Sequence, residues 1–171
     1  MIILAALLLA APTEARPGTP AACALLSATD IAEVQGTAPE ALKPAERSDG
    51  EIVSQQCLFL LPKYAQSVSL EVRRPRNGAP AASLRKRWRR LTEIPTEGEA
   101  EREREKEGEH RGPRRVSGIG RQALWMGQSR AGALYVLTRR AILRISVGGA
   151  GDDDSKLNAC KTLARRALAR L

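Results

Sequence analysis

Alternating and continuous apolar runs in the first half of the chain predict two or three β-strands. Residues 67–73 alternate strictly between polar and apolar side chains, which is typical of a half-buried strand. Residues 52–61 are rich in β-branched and apolar side chains and are followed by Pro62, which also indicates a strand. A weaker pattern over 41–46 adds a third candidate, followed by a turn signal at 48–50.

The second half of the chain has a similar pattern, with three further predicted strands. They cover 123–126, 133–138 and 142–147, and residues 139–140 between the last two predict a tight hairpin. The glycine-rich run 148–151 ends the last strand and predicts a turn.

Capping signals predict a short helix over 28–35 and a longer helix at the C-terminus. Ser27 and Asp30 have the spacing of a capping box, and Gly36 supplies the matching stop. The final helix begins with acidic and ends with basic side chains, which suits the helix dipole. These residues are Asp152, Asp153 and Asp154 at its start and Arg165, Arg166 and Arg170 at its end.

A further helix, predicted over 80–91, is amphipathic and strongly basic. Leu84, Trp88 and Leu91 recur at helical spacing, and five basic side chains occupy the other faces. Two interpretations are open: a surface helix whose arginine stems lie along apolar surface, or a helix that contacts lipid headgroups or an acidic polymer. The candidate contact residues of the second interpretation are Arg73, Arg74, Arg76, Arg85, Lys86, Arg87, Arg89 and Arg90.

The helices and strands give the order α-β-β-β-α-β-β-β-α. This order predicts an α+β fold with an antiparallel sheet of five to six strands flanked by helices. A chain of 171 residues suits one domain, which we place at 23–171 and expect to be a monomer.

Charge is distributed in blocks along the chain, whose formal net charge is +9. Residues 73–91 carry eight basic and no acidic side chains, whereas residues 92–110 carry eight acidic and three basic ones. Glutamate occupies every odd position from 97 to 109, and neither helical nor strand spacing produces an apolar face there. We therefore predict a disordered, charged insertion at about 95–115, whose negative charge offsets the basic segment before it.

The N-terminus predicts export. Residues 2–11 form an apolar run too short to span a bilayer but suited to the core of a signal peptide, so we assign 1–22 to a signal peptide and a small-residue spacer. The expected location is periplasmic or secreted. Lipid attachment at Cys23 is the less favoured alternative, because Pro20 stands where a lipoprotein signal has leucine.

The three cysteines divide into a candidate pair and a single residue. In an oxidising compartment, Cys23 and Cys57 are candidates for a disulfide. Cys160 lies on the apolar stripe of the final helix, which predicts a buried core residue rather than a reactive thiol.

The residue inventory excludes several kinds of site. A single histidine, His110 in the predicted insertion, and cysteines without metal-ligand spacing offer no metal site of the usual kind. Five scattered aromatic rings offer no platform for stacking nucleic-acid bases. The run 148–151 lacks the lysine of a phosphate-binding loop, and Gly118 with Gly120 precedes a strand instead of a helix. We expect no nucleic acid, no cofactor and no catalytic residues.

Several short motifs resemble a group of small bacterial exported proteins and lipoproteins of unknown function. That group has a Cys-x-Leu-Leu-Thr start that opens a short helix, a second cysteine in a strand, and a later Gly-Leu-Gly-Asp-Glu-Ala segment. The matching residues here are Cys23 to Ser27, Asp30-Ile31, Gly36, Cys57 and Gly118-Ile119-Gly120, with Arg121-Gln122 in place of Asp-Glu. The resemblance implies a PsbP-like α/β sandwich, an antiparallel sheet covered by helices, and implies no activity.

The sequence therefore predicts a non-catalytic binding or envelope-associated domain whose partner is not specified. The alternative is a module that associates with an anionic surface through the basic helix 80–91. A small extracytoplasmic hydrolase is the third hypothesis. The partner is unknown, and its candidates are an envelope protein or an anionic surface.

Overall fold

The computed structural model describes residues 21–76, 79, 81–92, 113–127 and 132–171, and these residues form an α+β fold. The helices are α1 (Ala28–Gln35), α2 (Ala82–Thr92) and α3 (Asp153–Ala169), with short 3-10 turns at Ala22–Leu25 and Tyr64–Gln66. The strands are β1 (Ala41–Asp49), β2 (Ile52–Leu60), β3 (Val68–Pro75), β4 (Arg114–Val116), β5 (Gln122–Met126), β6 (Ala133–Leu137) and β7 (Ile142–Val147).

One seven-stranded antiparallel sheet, in the order β1-β2-β3-β7-β6-β5-β4, contains all the strands of the described residues. The predicted α+β class and antiparallel sheet are confirmed, but the predicted count of five to six strands is wrong. The strand that the prediction did not include is β4, which pairs with β5 at the edge of the sheet. Its Arg114 and Arg115 fall inside the predicted insertion, because a three-residue edge strand with two charged side chains has no apolar alternation.

Strands β3 and β7 pair at the centre and join the two meanders into one sheet. Their register runs from Val68 opposite Val147 to Arg73 opposite Ile142. Alternate residues of these strands therefore face opposite sides. The apolar residues of β3 enter the main core, whereas Glu71 and Arg73 face the other side.

The main core lies between the sheet and the helices α1 and α3. Phe59 of β2 and Trp125 of β5 are its largest fully buried side chains. The smaller second core lies on the opposite face, where α2 packs Leu84 and Trp88 against the sheet. The sheet therefore has two helices on one face and only α2 on the other among the described residues.

The capping box predicted for α1 is confirmed and continues into a tertiary contact. Ser27 Oγ accepts from the Asp30 backbone nitrogen at 3.1 Å, and the Asp30 carboxylate accepts from the Ser27 nitrogen at 2.7 Å. The same carboxylate accepts from Arg166 at 2.9 Å and also from Arg170, both near the end of α3. One buried carboxylate therefore joins the start of α1 to the end of α3.

The predicted Cys23–Cys57 disulfide is also confirmed, with a Cα–Cα distance of 5.0 Å and a separation of 34 residues. It fastens the 3-10 turn before α1 to strand β2 in the main core. Cys160 is a buried free cysteine on α3, as its position on the apolar stripe predicts.

Two predictions fall on residues that the structure does not describe. The predicted signal peptide includes residues 1–20, and the predicted insertion includes residues 95–112 with His110. The structure describes none of these residues. Within the described residues, no helix is both long and apolar enough to cross a membrane.

We expect loss of the disulfide to destabilise the fold substantially. Replacing Cys23 and Cys57 together by serine removes the constraint on a 34-residue loop of the unfolded chain. The free energy of unfolding should fall by about 3 to 4 kcal/mol. Urea unfolding measures this loss, and wild-type protein in excess reductant should show a loss of the same size. A variant with an unchanged unfolding midpoint would contradict the structural role of the bridge.

The Asp30 carboxylate should make stability depend on acid pH. The Arg170 hydrogen bond is the largest cause of its lowered pKa; burial opposes ionisation, but bonds from Ser27 lower the pKa further. Because the folded pKa lies below the unfolded value of about 3.9, the stabilisation is present above about pH 4 and is lost as pH falls through the folded pKa.

We expect Asp30→Asn to lower the free energy of unfolding at pH 7 by about 2 kcal/mol, since it removes charged hydrogen bonds to both arginines. The difference from wild type should shrink as the pH falls below 4. Chemical denaturation across pH 2 to 7 tests both statements. Glu33→Gln is the matched control, because the half-exposed Glu33 side chain pairs with Arg166 alone and should cost no more than about 0.5 kcal/mol.

Candidate anion-binding groove

Helix α2 is held against the sheet by its apolar side, which fixes the position of its arginines. Leu84 and Trp88, one helical turn apart, are buried against Leu124, Leu137 and Ile142. Trp88 Nε1 also donates to Gln122 Oε1 of β5 at 2.6 Å. This anchoring brings the next residue after each anchor, Arg85 and Arg89, to the side of the helix beside the start of β5 and the end of β6.

A cavity of about 600 Å³ lies between this side of α2 and the sheet. Its walls carry four arginines that come from three parts of the chain. Its lining residues are Ala81, Leu84, Arg85, Trp88, Arg89, Thr92, Arg121, Gln122, Leu137, Thr138 and Arg139. We call this cavity the arginine groove.

The sheet wall of the groove depends on a glycine turn before β5. Gly120 has φ +59°, and a Cβ there would lie 2.5 Å from Val136 Cγ1, so the position requires glycine. This close approach lets the Arg121 backbone nitrogen donate to the Leu137 carbonyl at 2.8 Å. Arg121 is thereby fixed beside the end of β6, next to the turn that carries Arg139.

The β6–β7 turn is closed by a threonine side chain. Thr138 Oγ1 accepts from the Ala141 backbone nitrogen at 2.9 Å and from the Arg140 nitrogen at 3.1 Å. The hydroxyl also bonds the Ala141 carbonyl at 3.0 Å. The predicted tight hairpin is confirmed, and its first turn residue, Arg139, lines the groove.

The groove presents hydrogen-bond donors and positive charge. Guanidinium groups stay protonated at any physiological pH and have no acceptor. Among the described residues, no acidic side chain lines the groove, and none forms an ion pair with Arg85, Arg89, Arg121 or Arg139. Since Gln122 uses its oxygen to accept from Trp88, its amide nitrogen presents further donors. The arrangement suits a phosphate or carboxylate group.

A second cavity of about 430 Å³ adjoins the first and shares Trp88, Thr92 and Gln122 with it. It also contains Arg115 of β4. Because β4 alternates, Arg115 faces the α2 side of the sheet, whereas Arg114 faces the α3 side and bonds Asp154 at 2.8 Å. The two cavities thus adjoin beside Trp88 and Thr92 of α2, with four arginines in the first and Arg115 in the second.

The eight basic residues predicted for an anionic surface separate in the structure. Arg85 and Arg89 line the groove, and Lys86, Arg90 and Arg76 are exposed elsewhere. Arg87 lies 3.7 Å from the Asp49 carboxylate.

The two arginines on β3 that belong to the same set are committed to contacts within the fold. Arg73 is only 7% exposed and donates to both carboxylate oxygens of Glu71, at 3.0 and 2.8 Å. Arg74 donates to Gln55 at 3.0 Å, and burial lowers its pKa. Neither is free to serve as a surface contact, and we leave both out of the site.

The buried carboxylate of Glu71 does not create an acid–base site. Burial favours its neutral form, but the Arg73 hydrogen bond and the charges of Arg73, Arg47 and Arg144 outweigh that effect and lower the pKa. The group therefore stays ionised at neutral pH and makes a poor proton donor. It is a structural counter-ion at the centre of the sheet.

Each aspartate that opens α3 has a partner within the fold, and Arg114 lies within 4 Å of both Asp153 and Asp154. Asp152 caps the helix by accepting from the Ser155 nitrogen at 2.8 Å, and Asp153 accepts from Trp125 Nε1 at 2.8 Å. Asp154 bonds Arg114. Within the described ranges, no group of three histidine, cysteine or acidic side chains is placed to hold a metal ion.

Sequence reasoning did not include Arg121, Arg139 and Arg115 among the candidate site residues. The three are isolated along the chain from the basic segment 73–91, and only the strand register brings them to α2. The available signal was indirect: a glycine turn before Arg121 and a tight hairpin at Arg139.

No protein-family model, curated protein or solved structure matches this chain. The site is therefore interpreted from its own geometry, and the resemblance to exported proteins with a PsbP-like fold stays a prediction.

We expect the Cys160 thiol to be unreactive in the folded protein. Burial raises its pKa to about 12, and its sulfur lies 3.5 Å from the Ile145 carbonyl. At pH 8 the group is therefore a thiol rather than a thiolate, and a reagent in solution cannot reach it. Ellman's reagent should not react with the native protein. After denaturation without reductant, it should detect one thiol per chain. Rapid labelling of native protein would contradict this assignment.

Proposed function

We propose that the protein is a non-catalytic, extracytoplasmic binding domain that holds an anionic ligand in the arginine groove. The observation that carries the proposal is that four arginines, from α2, the turn before β5 and the β6–β7 turn, line one cavity. Cavities of about 300 to 1,000 Å³ are typical of ligand sites. A volume of about 600 Å³ is within that range.

Two features support the proposed export: the disulfide and the sequence of the N-terminus. The Cys23–Cys57 disulfide is consistent with an oxidising location outside the cytoplasm. The apolar run at 2–11 and the small residues that follow it support a cleaved signal peptide. We therefore place the ligand among the anions of the bacterial envelope or its surroundings.

Binding is favoured over catalysis by the groove's chemistry. Its described lining contains no carboxylate, histidine, cysteine, lysine or serine. The Thr138 hydroxyl is held by the backbone of its own turn, and the Thr92 hydroxyl donates to the Arg89 carbonyl at 2.9 Å. The groove therefore offers charge and donors that hold an anion, but no general base that would activate a nucleophile.

A second candidate function is association with an anionic lipid surface through α2. Lys86 and Arg90 are exposed on this helix, away from the groove, and they support this alternative. The two functions use different faces of one helix, so they predict different mutational patterns.

Pairwise substitutions on α2 distinguish these functions. Arg85→Gln with Arg89→Gln removes two groove charges, whereas Lys86→Gln with Arg90→Gln removes the same charge outside it. Arginine, lysine and glutamine have similar helix propensities, so both variants should keep α2. We expect the groove variant to bind inorganic triphosphate at least tenfold more weakly than wild type, and the control variant to bind within twofold.

Fluorescence of Trp88, which lines the groove, measures triphosphate binding. Wild-type affinity should also weaken as salt is added, because the contacts are largely solvent-accessible charges. Absence of binding, or equal losses in the two variants, overturns the groove proposal. Co-sedimentation with phosphatidylglycerol vesicles that depends on Lys86 and Arg90 alone establishes the surface alternative instead.

A further inference from the structure

We infer that the natural ligand is a linear polyanion, a polymer with repeated phosphate or carboxylate groups, that runs through both cavities beside α2. The inference rests on the proposed function and specifies its ligand class. It is carried by the second cavity and its Arg115, neither of which a small single anion in the arginine groove would use.

The two cavities are adjacent parts of one path. Both are lined by Trp88, Thr92 and Gln122, and Trp88 donates a hydrogen bond to Gln122. A ligand confined to the arginine groove does not contact Arg115 of the second cavity. A chain that crosses Trp88 contacts guanidinium groups in both.

The distribution of charge follows the same path. Arg139 and Arg121 lie on the sheet wall, Arg85 and Arg89 lie one helical turn apart on the helix wall, and Arg115 lies in the second cavity. Side chains one turn apart on a helix are about 6 Å apart at Cβ. Guanidinium groups distributed in this way match repeated anionic groups better than one compact charge.

The concave shape favours a polymer over a membrane. Arginines of α2, of the turn before β5 and of the β6–β7 turn line one recess between helix and sheet, which a flat layer of headgroups matches less well than an extended chain does. A single extended chain can enter the cavity.

Two phosphate probes of different length and a substitution at Arg115 together test this inference. We expect Arg115→Gln to weaken binding of medium-length inorganic polyphosphate about three- to tenfold and to leave triphosphate binding unchanged. Arg85→Gln with Arg89→Gln should weaken both probes. Arg140→Gln is the matched control, because Arg140 is an exposed turn residue that lines neither cavity.

The outcomes separate this inference from the proposed function. If triphosphate binds with the expected dependence on Arg85 and Arg89 but Arg115→Gln affects neither probe, the ligand is a compact anion and the polymer inference is wrong. If triphosphate and polyphosphate both fail to bind, the proposed function itself fails. A steeper salt dependence for polyphosphate than for triphosphate, reduced by Arg115→Gln, supports the polymer. The thermal midpoint of each variant checks that the fold is intact.

Discussion

The pairing of β3 with β7 is the constraint on which the rest of the structure depends. These strands are about 75 positions apart in the sequence, and their register joins two separate meanders into one sheet. On one face the pairing brings Leu70 opposite Ile145 in the main core. On the other face it brings Glu71 opposite Arg144, whose charge, with those of Arg73 and Arg47, keeps the carboxylate ionised. A charged strip therefore occupies the centre of the second face.

Helix α2 covers part of this second face. Its apolar side packs against Leu124, Leu137 and Ile142 of β5, β6 and β7, and the helix also contacts β3. An eleven-residue helix spans only part of that area. The space left between its edge and the sheet, at the start of β5 and the end of β6, is the arginine groove, and long arginine side chains can line it because their stems tolerate apolar contact while their heads stay in water. The groove is thus a geometric consequence of covering half a face with one short helix.

Local signals predicted the parts of the fold that local chemistry determines. The capping box predicted α1 because both of its hydrogen bonds lie within four residues, and strict alternation predicted β3 because its apolar residues face the main core and its polar residues face the other side. The strand is nevertheless buried on both faces and not half-buried as predicted. The exposed charges of β4 gave no such signal. The site itself was only half predictable: Arg85 and Arg89 are visible as an amphipathic helix, but their partners Arg121 and Arg139 reach the groove through strand register. Register depends on contacts distant in sequence, which a local pattern does not record.

The net charge of +9 has a different meaning once the ion pairs are assigned. Many arginines are internal counter-ions: Arg73 neutralises Glu71, while Arg166 and Arg170 hold Asp30. An arginine used in this way contributes to stability and adds little to the external field, because its charge is compensated within a few ångströms. The groove differs because its four guanidinium groups share one cavity without an acidic partner among the described residues. The anionic ligand proposed for the groove compensates these like charges, which no acidic side chain of the described residues does.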